Sequence, residues 1–473
     1  MNGDTMSENT LNAFLGETPI GQFRRTNDGS IIFQYHDSYR WSQSPTPISL
    51  SMPITAAEYS GDIPRNFLEA LVPESPQARD EAMRLHHARS TSAFDLLQAI
   101  GFDATGALRL SADPHLPIDD DSLIPISDSQ IANRLRAAAP TGIQSASVDE
   151  HWSVAGQQGK IALRNRNGSW FSTTGIARTT HIIKPGIPTL PHQAFNEHIT
   201  MRIVEAMGIP VAHTSFHIFD GVPAIISERY DRIVSANGTV TALHQEDFTQ
   251  ALGIPSSLKY EEHNGPTSNA YAEMLRKHGL PGQAESNIRA FTDGILASYL
   301  VGATDSHAKN YSLLLDGASV RLAPLYDLAS VFPYLGHGKQ IINATLAMNI
   351  GGRRDLLQLR RKHLERFAQR MGLDEESVIL RFHTLVDRLP EAFDSTVQPA
   401  HDVIASIGAQ EFIDSYRKRI MMVYDDAMSW GQSKGTVIRT GGDWSRHPPK
   451  KSDLKRHTGN EFALLACYWI GES

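Results

Sequence analysis

The densest set of groups suited to phosphoryl chemistry is Gly302-Ala-Thr-Asp-Ser-His-Ala-Lys-Asn310, between an apolar helical pattern and a short β run. Asp305 and Asn310 stand in a D-x-x-x-x-N relation. Protein kinases use that spacing because one loop must offer a carboxylate to the substrate hydroxyl and a neutral oxygen ligand to Mg²⁺. The same spacing also arises in a loop whose Asp and Asn bond their own backbone. Downstream, Leu325-Tyr-Asp-Leu-Ala-Ser330 places Asp327 just past a β run, where the second metal-holding carboxylate of kinase chemistry falls. The alternative is an N-cap for a helix over LASVF.

Upstream, Lys184 ends the run Thr180-His-Ile-Ile-Lys184. A lysine on an interior strand is costly unless paired, and phosphate oxygens with a helix carboxylate such as Glu197 would pair it. Glu197 shares a helix face with Met201 and Val204, which favours a paired role; a strand-end lysine pointing to water is the plain alternative. Before it lies Ser153-Val-Ala-Gly-Gln-Gln-Gly-Lys160, followed by a strand. Its small residues suit a loop whose backbone N–H groups cover phosphates. It is neither a Walker A sequence nor G-x-G-x-x-G, and an ordinary turn reads the same way.

These groups need a framework. Residues 11–110 read as a first unit: IGQF and IIFQY are strand-like around the turn Thr26-Asn27-Asp28-Gly29, and FDLLQAIGF is a helix stopped by Gly101. Residues 111–150, rich in Pro, Asp, Ser and Ala, read as a linker or surface ornament. Over 151–232, KIALR, THIIK, TSFHIF and PAIISERY alternate with a helix marked by Phe195, Ile199, Ile203 and Ala206, a small mixed lobe. Residues 233–433 are chiefly helical, with β runs at Tyr311–Leu315 and Val320–Leu322. Residues 434–473 form a basic tail, expected to be solvated and mobile.

The chain has 473 residues, with 44 Lys plus Arg against 52 Asp plus Glu, a net charge of −8 that argues against nucleic-acid binding through overall charge. Its one cysteine, Cys467, excludes an internal disulfide and a CxxC motif, and points to a reducing, cytoplasmic setting. No secretory signal and no apolar run long enough to span a membrane is present. HExxH, G-x-S-x-G and Rossmann fingerprints are absent.

Taken in order, a small-residue loop, a strand lysine, a helix glutamate, Ser227-Glu-Arg-Tyr-Asp-Arg232, the D-x-x-x-x-N pair and Asp327 follow the protein-kinase sequence of parts. The stretches SVAGQQGK, HIIKP, NEHITMRIVEAMGIPV, SERYDR, LHQEDFTQALGIPSSLKYE, GATDSHAKNYSLLL and LAPLYDLASVFP resemble the HipA family of serine/threonine kinase toxins of type II toxin–antitoxin modules. PISLSMP, NFLEALVPE and FDLLQAIGFDATGAL are similar to that family's N-terminal subdomain, so the resemblance spans roughly 11–430.

The resemblance implies an α+β, protein-kinase-like two-lobed fold with an extra N-terminal α/β subdomain and an all-helical C-lobe. It implies ATP and Mg²⁺, with Asp305 as proton acceptor, Asn310 and Asp327 as metal ligands, and Lys184, partnered by Glu197, on the ATP phosphates. Ala155, Gly156, Gln157, Gln158, Gly159 and Lys160 would cover the nucleotide, Glu228 and Tyr230 would meet adenine through the hinge backbone, and His307, Lys309, Asn310, Tyr326 and Asp327 would line the site. Ser153 matches the serine that family members autophosphorylate. The family pattern near SVAGAQPK or SVAGAQEK is altered at Gln157 and Gly159, and Gly159 is expected to make the loop more permissive. A helix-turn-helix antitoxin dimer, operator DNA through that complex, and an aminoacyl-tRNA synthetase as protein substrate are the implied partners. A small-molecule phosphotransferase and a catalytically silent co-repressor subunit are the alternatives, the first weakened by the N-terminal subdomain and the Ser153 segment, the second by the full set of phosphoryl-transfer groups.

Overall fold

The computed structural model describes residues 9–116, 122–138, 150–153, 155–156, 158–335 and 345–430. Gln157 and the basic tail lie outside them.

The first unit is a five-stranded antiparallel sheet in the order Glu58–Tyr59, Ile31–Tyr35, Thr18–Arg25, Thr10–Leu15, Leu108–Ser111. Alternation in IIFQY sends Ile31, Phe33 and Tyr35 inward, where they meet Phe67 of the helix Asp62–Glu69 and Phe94 of the helix Ala93–Ile100. Ser92 caps the second helix by accepting from Asp95 N, and Gly101 ends it.

The second sheet has six strands in the order Thr214–Phe219, Val222–Glu228, His181–Pro185, Ile161–Arg166, Ser169–Thr173, Leu123–Pro125. Its last strand, and the helix Asp128–Ala138, come from the stretch read as linker. Ile131, Ala132 and Leu135 of that helix share a core with Ile161, Leu163, Ile183 and Phe219, so this part of 111–150 belongs to the lobe. The polar composition conceals the helix because only one of its faces is apolar.

The helix Gln193–Ala206 buries Phe195, Ile199 and Ile203, and Gly208 follows it at φ +84°. Beyond residue 243 the body is chiefly helical, built on Gln283–Val301, Arg361–Met371, Glu375–Val397 and Gln410–Ser429. The two expected β runs pair as Ser312–Asp316 and Ser319–Leu322, joined by His244–Asp247 in a three-stranded sheet. The helix Gln283–Val301 ends at Gly302, whose left-handed conformation (φ +71°) turns the chain into the Asp305 loop. A Cβ there would stand 2.8 Å from the Phe332 ring. Among the described residues, no helix is long and apolar enough to cross a membrane.

A buried ionic network ties the first unit to the segment after Glu228. Arg229 donates to Ala104 O (3.0 Å) and Thr179 Oγ1 (2.9 Å), and Arg232 to Asp103 Oδ1 (2.8 Å) and Gly106 O (2.9 Å). Gly106 N returns a bond of 2.7 Å to Asp231 Oδ2. Burial raises the Asp103 carboxyl, but Arg232 and Arg229 outweigh it and hold it well below the usual carboxylate range. Removing one member would strand its partners' charge away from water.

Candidate active site

Lys184 Nζ donates to Glu197 Oε1 (2.9 Å) and to Asp327 Oδ1 (2.5 Å). The register that delivers it is local: Lys184 pairs with Ile225 across the sheet, and Glu197 lies on the helix that follows the same strand. Asp327 comes from far along the chain. Its segment is carried in by Leu325, whose N–H donates to Pro210 O (3.0 Å) and whose carbonyl accepts from Ala212 N (2.7 Å). Asp327 itself adopts the left-handed conformation at φ +61°. Aspartate tolerates that region better than most residues, and strain of this kind clusters at functional sites. No helix follows it over residues 328–331, so the N-cap alternative has no helix to cap.

The charges of this triad are interdependent. Burial pulls the Lys184 ammonium down, but Asp327 and Glu197 outweigh it and keep it above the ordinary lysine range. Burial raises the Glu197 carboxyl, with Lys184 opposing. Burial also raises Asp327, and there Lys184 prevails and holds it well below the usual range. Asp327 is the member open to the cavity, its side chain 43 % exposed against 3 % for Glu197.

That cavity has a volume of about 600 Å³. Ala155, Gly156, Gln158, Gly159 and Lys160 line it on one side, Glu228 and Tyr230 on another, and Asp305, His307, Lys309, Asn310, Tyr326 and Asp327 on a third. Ser153 does not line it: its side chain is fully buried and its hydroxyl donates to Leu71 O at 2.7 Å.

In the small-residue loop, Lys160 Nζ folds back onto Ala155 O at 2.5 Å, and burial together with the Lys184 ammonium pushes its pKa down to about 8. Gln158 Nε2 anchors the loop to Pro185 O at 2.8 Å. Gly159 has a role beyond permissiveness. A Cβ there would stand 2.1 Å from Ala138 O, so the loop packs on the helix Asp128–Ala138 only because this residue lacks one.

Glu228 ends its strand, with its N–H on His213 O (2.9 Å) and its carboxylate on His213 Nδ1 (2.9 Å). The Tyr230 and Tyr326 rings lie 5.6 Å apart. Tyr326 also braces the Asp305–Asn310 loop, donating to Lys309 O at 2.6 Å.

Within the loop, Asn310 Nδ2 donates to the Asp305 backbone carbonyl (3.0 Å), which also accepts from His307 N (2.8 Å). The D-x-x-x-x-N pair is therefore linked through backbone, and the self-bonding loop alternative holds for the Asn310 amide. The Asp305 carboxylate is exposed and is bonded instead by the Tyr260 hydroxyl at 2.6 Å. Burial lowers the His307 pKa and so favours its neutral form. Lys309 is committed elsewhere, to Asp247 Oδ2 (2.7 Å) and Ala70 O (3.2 Å).

Sequence reasoning did not single out Tyr260, Lys259, Asp247 or Glu74. Lys259 and Tyr260 sit in the quoted stretch LHQEDFTQALGIPSSLKYE, yet nothing in that stretch reveals the loop 45 residues away that Tyr260 meets.

Residues 152–393 match the HipA-like C-terminal domain, just over half of the 473 residues, and residues 11–111 match the HipA N-terminal domain. The chain belongs to the HipA family. Within it, the chain is 31 % identical over 424 residues to Y4mE of Sinorhizobium fredii, covering 88 % of this chain and 99 % of that one. It is 28 % identical over 399 residues to the serine/threonine-protein kinase toxin HipA of Shewanella oneidensis, covering 82 % and 89 %. The solved structure of the Shewanella oneidensis HipA, HipB and operator DNA complex superposes with a TM-score of 0.75 at 25 % identity, covering 89 % of this chain and 99 % of that one. The α+β, kinase-like fold with its added N-terminal sheet is thus the HipA architecture. The chain is a HipA-like serine/threonine protein kinase, of the kind that serves as toxin in toxin–antitoxin systems, and ATP is the phosphoryl donor of that class.

Proposed function

We propose that this HipA-family kinase transfers the γ-phosphoryl group of ATP to serine or threonine hydroxyls at the cavity between Lys184 and Asp305. The observation that carries the assignment is the Lys184 bridge between Glu197 and Asp327. It fixes an ammonium where phosphate oxygens need one, beside an exposed carboxylate. Asp305 accepts the proton of the incoming hydroxyl. Ala155 through Lys160, Gln157 included, cover the phosphates, and the backbone from Glu228 to Tyr230 takes the adenine.

The donor set suits Mg²⁺. Asn310 supplies an amide oxygen and Asp327 a carboxylate, both hard oxygen ligands. With two protein ligands, the ion would complete its shell from phosphate oxygens and water. Bound there, the ion would neutralise charge on the transferring group.

Ser153 is the autophosphorylation site in this reading. Its hydroxyl is buried on Leu71 O, so the loop must leave that contact before the hydroxyl can be modified. A phosphate adds about −1.5 to −2 charge, which this buried pocket has no room to solvate, and holds the loop open. The physiological target is a translation component of the aminoacyl-tRNA synthetase class, and a helix-turn-helix antitoxin dimer restrains the kinase and carries it to operator DNA. The net charge of −8 supports DNA contact coming mainly from that partner.

The test is peptide mass spectrometry after incubation with ATP and Mg²⁺, beside an Asp305→Asn variant. A phosphate on Ser153 that requires Asp305 is expected. No phosphorylation of the chain or of added synthetases would remove the proposal.

A further inference from the structure

The segment Ala70–Glu74 continues from the helix Asp62–Glu69 of the N-terminal unit and touches three parts of the kinase site. Ala70 O accepts from Lys309 Nζ of the catalytic loop at 3.2 Å, and Leu71 O from Ser153 Oγ at 2.7 Å. Pro73 forms a parallel bridge with Gly156 of the nucleotide loop, where Glu74 N donates to Gly156 O at 3.4 Å. The Glu74 carboxylate then receives Lys259 Nζ at 2.6 Å, and both side chains are largely buried, 15 % and 7 % exposed.

Lys259 leads directly to the reacting end of the cavity. Its carbonyl accepts from Ala308 N at 3.2 Å, inside the Asp305–Asn310 loop. The next residue, Tyr260, puts its hydroxyl on Asp305 and its ring edge-on to His307, centroids 4.9 Å apart. The ion pair is thus the fixed end of a short lever whose other end holds the loop at two points.

We propose that Glu74 is a positioning residue for phosphoryl transfer, acting through Lys259 on the catalytic loop. An ammonium left in that enclosure without its carboxylate is expensive. Without Glu74, the Lys259 segment relaxes toward water and releases both Ala308 and Asp305. The N-terminal unit is then part of the working kinase, supplying alignment from outside the kinase lobes. The inference rests on Asp305 as proton acceptor.

The test compares Glu74→Gln, Lys259→Met and the double variant by two readouts. Hydrogen exchange of peptides covering residues 305–310 reports the loop whether or not transfer is observed. Glu74→Gln is expected to speed exchange there about tenfold and to lower kcat about tenfold, with KM for ATP within twofold. The double variant is expected to be no worse than the poorer single variant, because the pair acts as one unit. Unchanged loop exchange in Glu74→Gln, or losses that multiply in the double variant, would overturn the proposal. Should Glu74→Gln fail to fold, the same exchange readout on Lys259→Met decides. A protein that transfers no phosphate refutes the kinase assignment separately, since loop exchange still reports on Glu74.

Discussion

The Tyr260 hydroxyl donates a hydrogen bond of 2.6 Å to Oδ1 of Asp305, the carboxylate assigned here as proton acceptor. Asp305 is exposed, so without this bond its side chain would have no fixed rotamer. Burial and the neighbouring Asp305 charge both push the Tyr260 phenol well above its ordinary pKa, so it stays a donor throughout the physiological range. Tyr260→Phe removes the donor and keeps the ring on His307. One hydrogen bond to a charged group is worth about 1.5 kcal/mol at the low end, or roughly tenfold in rate. The expected result is kcat lowered about tenfold with little change in KM for ATP, measured by steady-state phosphorylation.

Lys184→Met should damage stability as well as activity. Without the ammonium, Glu197 is left buried and unpaired, and breaking such a buried pair costs about 3–5 kcal/mol, whereas the half-open Asp327 is screened by solvent and adds less. Adding Glu197→Gln to that variant should recover part of the loss, because the second change removes the stranded charge. Denaturant midpoints of the single and double variants check this; a double variant less stable than Lys184→Met refutes it.

Glu246 gives the fold a pH dependence. Its carboxyl sits between Ser49 Oγ (2.5 Å) and Leu50 N (2.8 Å), and burial pushes its pKa up to about 8 despite those donors. Between its ordinary value of 4.5 and about 8 the folded state holds a proton that the unfolded chain has lost. Its contribution is therefore full below the ordinary value and fades as pH rises through about 8. Glu246→Gln mimics the protonated form. Melting curves should show it more stable than the unmodified protein at pH 8.5 by a few degrees, and nearly equal at pH 5.

Gly159→Ala tests the close approach of the nucleotide loop to Ala138. The added carbon would lie 2.1 Å from a backbone carbonyl, which cannot swing aside as a side chain would. The loop or the helix end must shift, and ATP affinity should fall about tenfold, or roughly 1.4 kcal/mol, by calorimetry. Gly168→Ala, with nothing within 4 Å of its Cβ but a left-handed backbone at φ +81°, is the control for backbone strain without a close contact.

Much of the kinase core was legible because its signals are short-range. Lys184 and Glu197 are 13 residues apart on a strand and the helix after it, and Asp305 and Asn310 share one loop. Polar groups at such spacing advertise their partners. Glu74 and Lys259 are 185 residues apart and each looks like an ordinary surface charge in its own neighbourhood. The helix Asp128–Ala138 is hidden in the sequence for another reason: Pro, Asp and Ser around it dominate the composition, while its apolar stripe is only Ile131, Ala132, Leu135 and Ala138. Gly159 reads as a source of looseness because its neighbour, the Ala138 carbonyl at the end of that helix, is invisible in the sequence.

The ionic network around Arg229 bears on how the enzyme turns over. Arg229 lies between Glu228 and Tyr230, the stretch about which the two lobes would pivot, and its guanidinium is held by Ala104 O and Thr179 Oγ1. A pivot bolted to a third body is not a free joint. Any swing of the small lobe must carry the N-terminal sheet with it or break buried charge contacts, so opening is geared rather than loose.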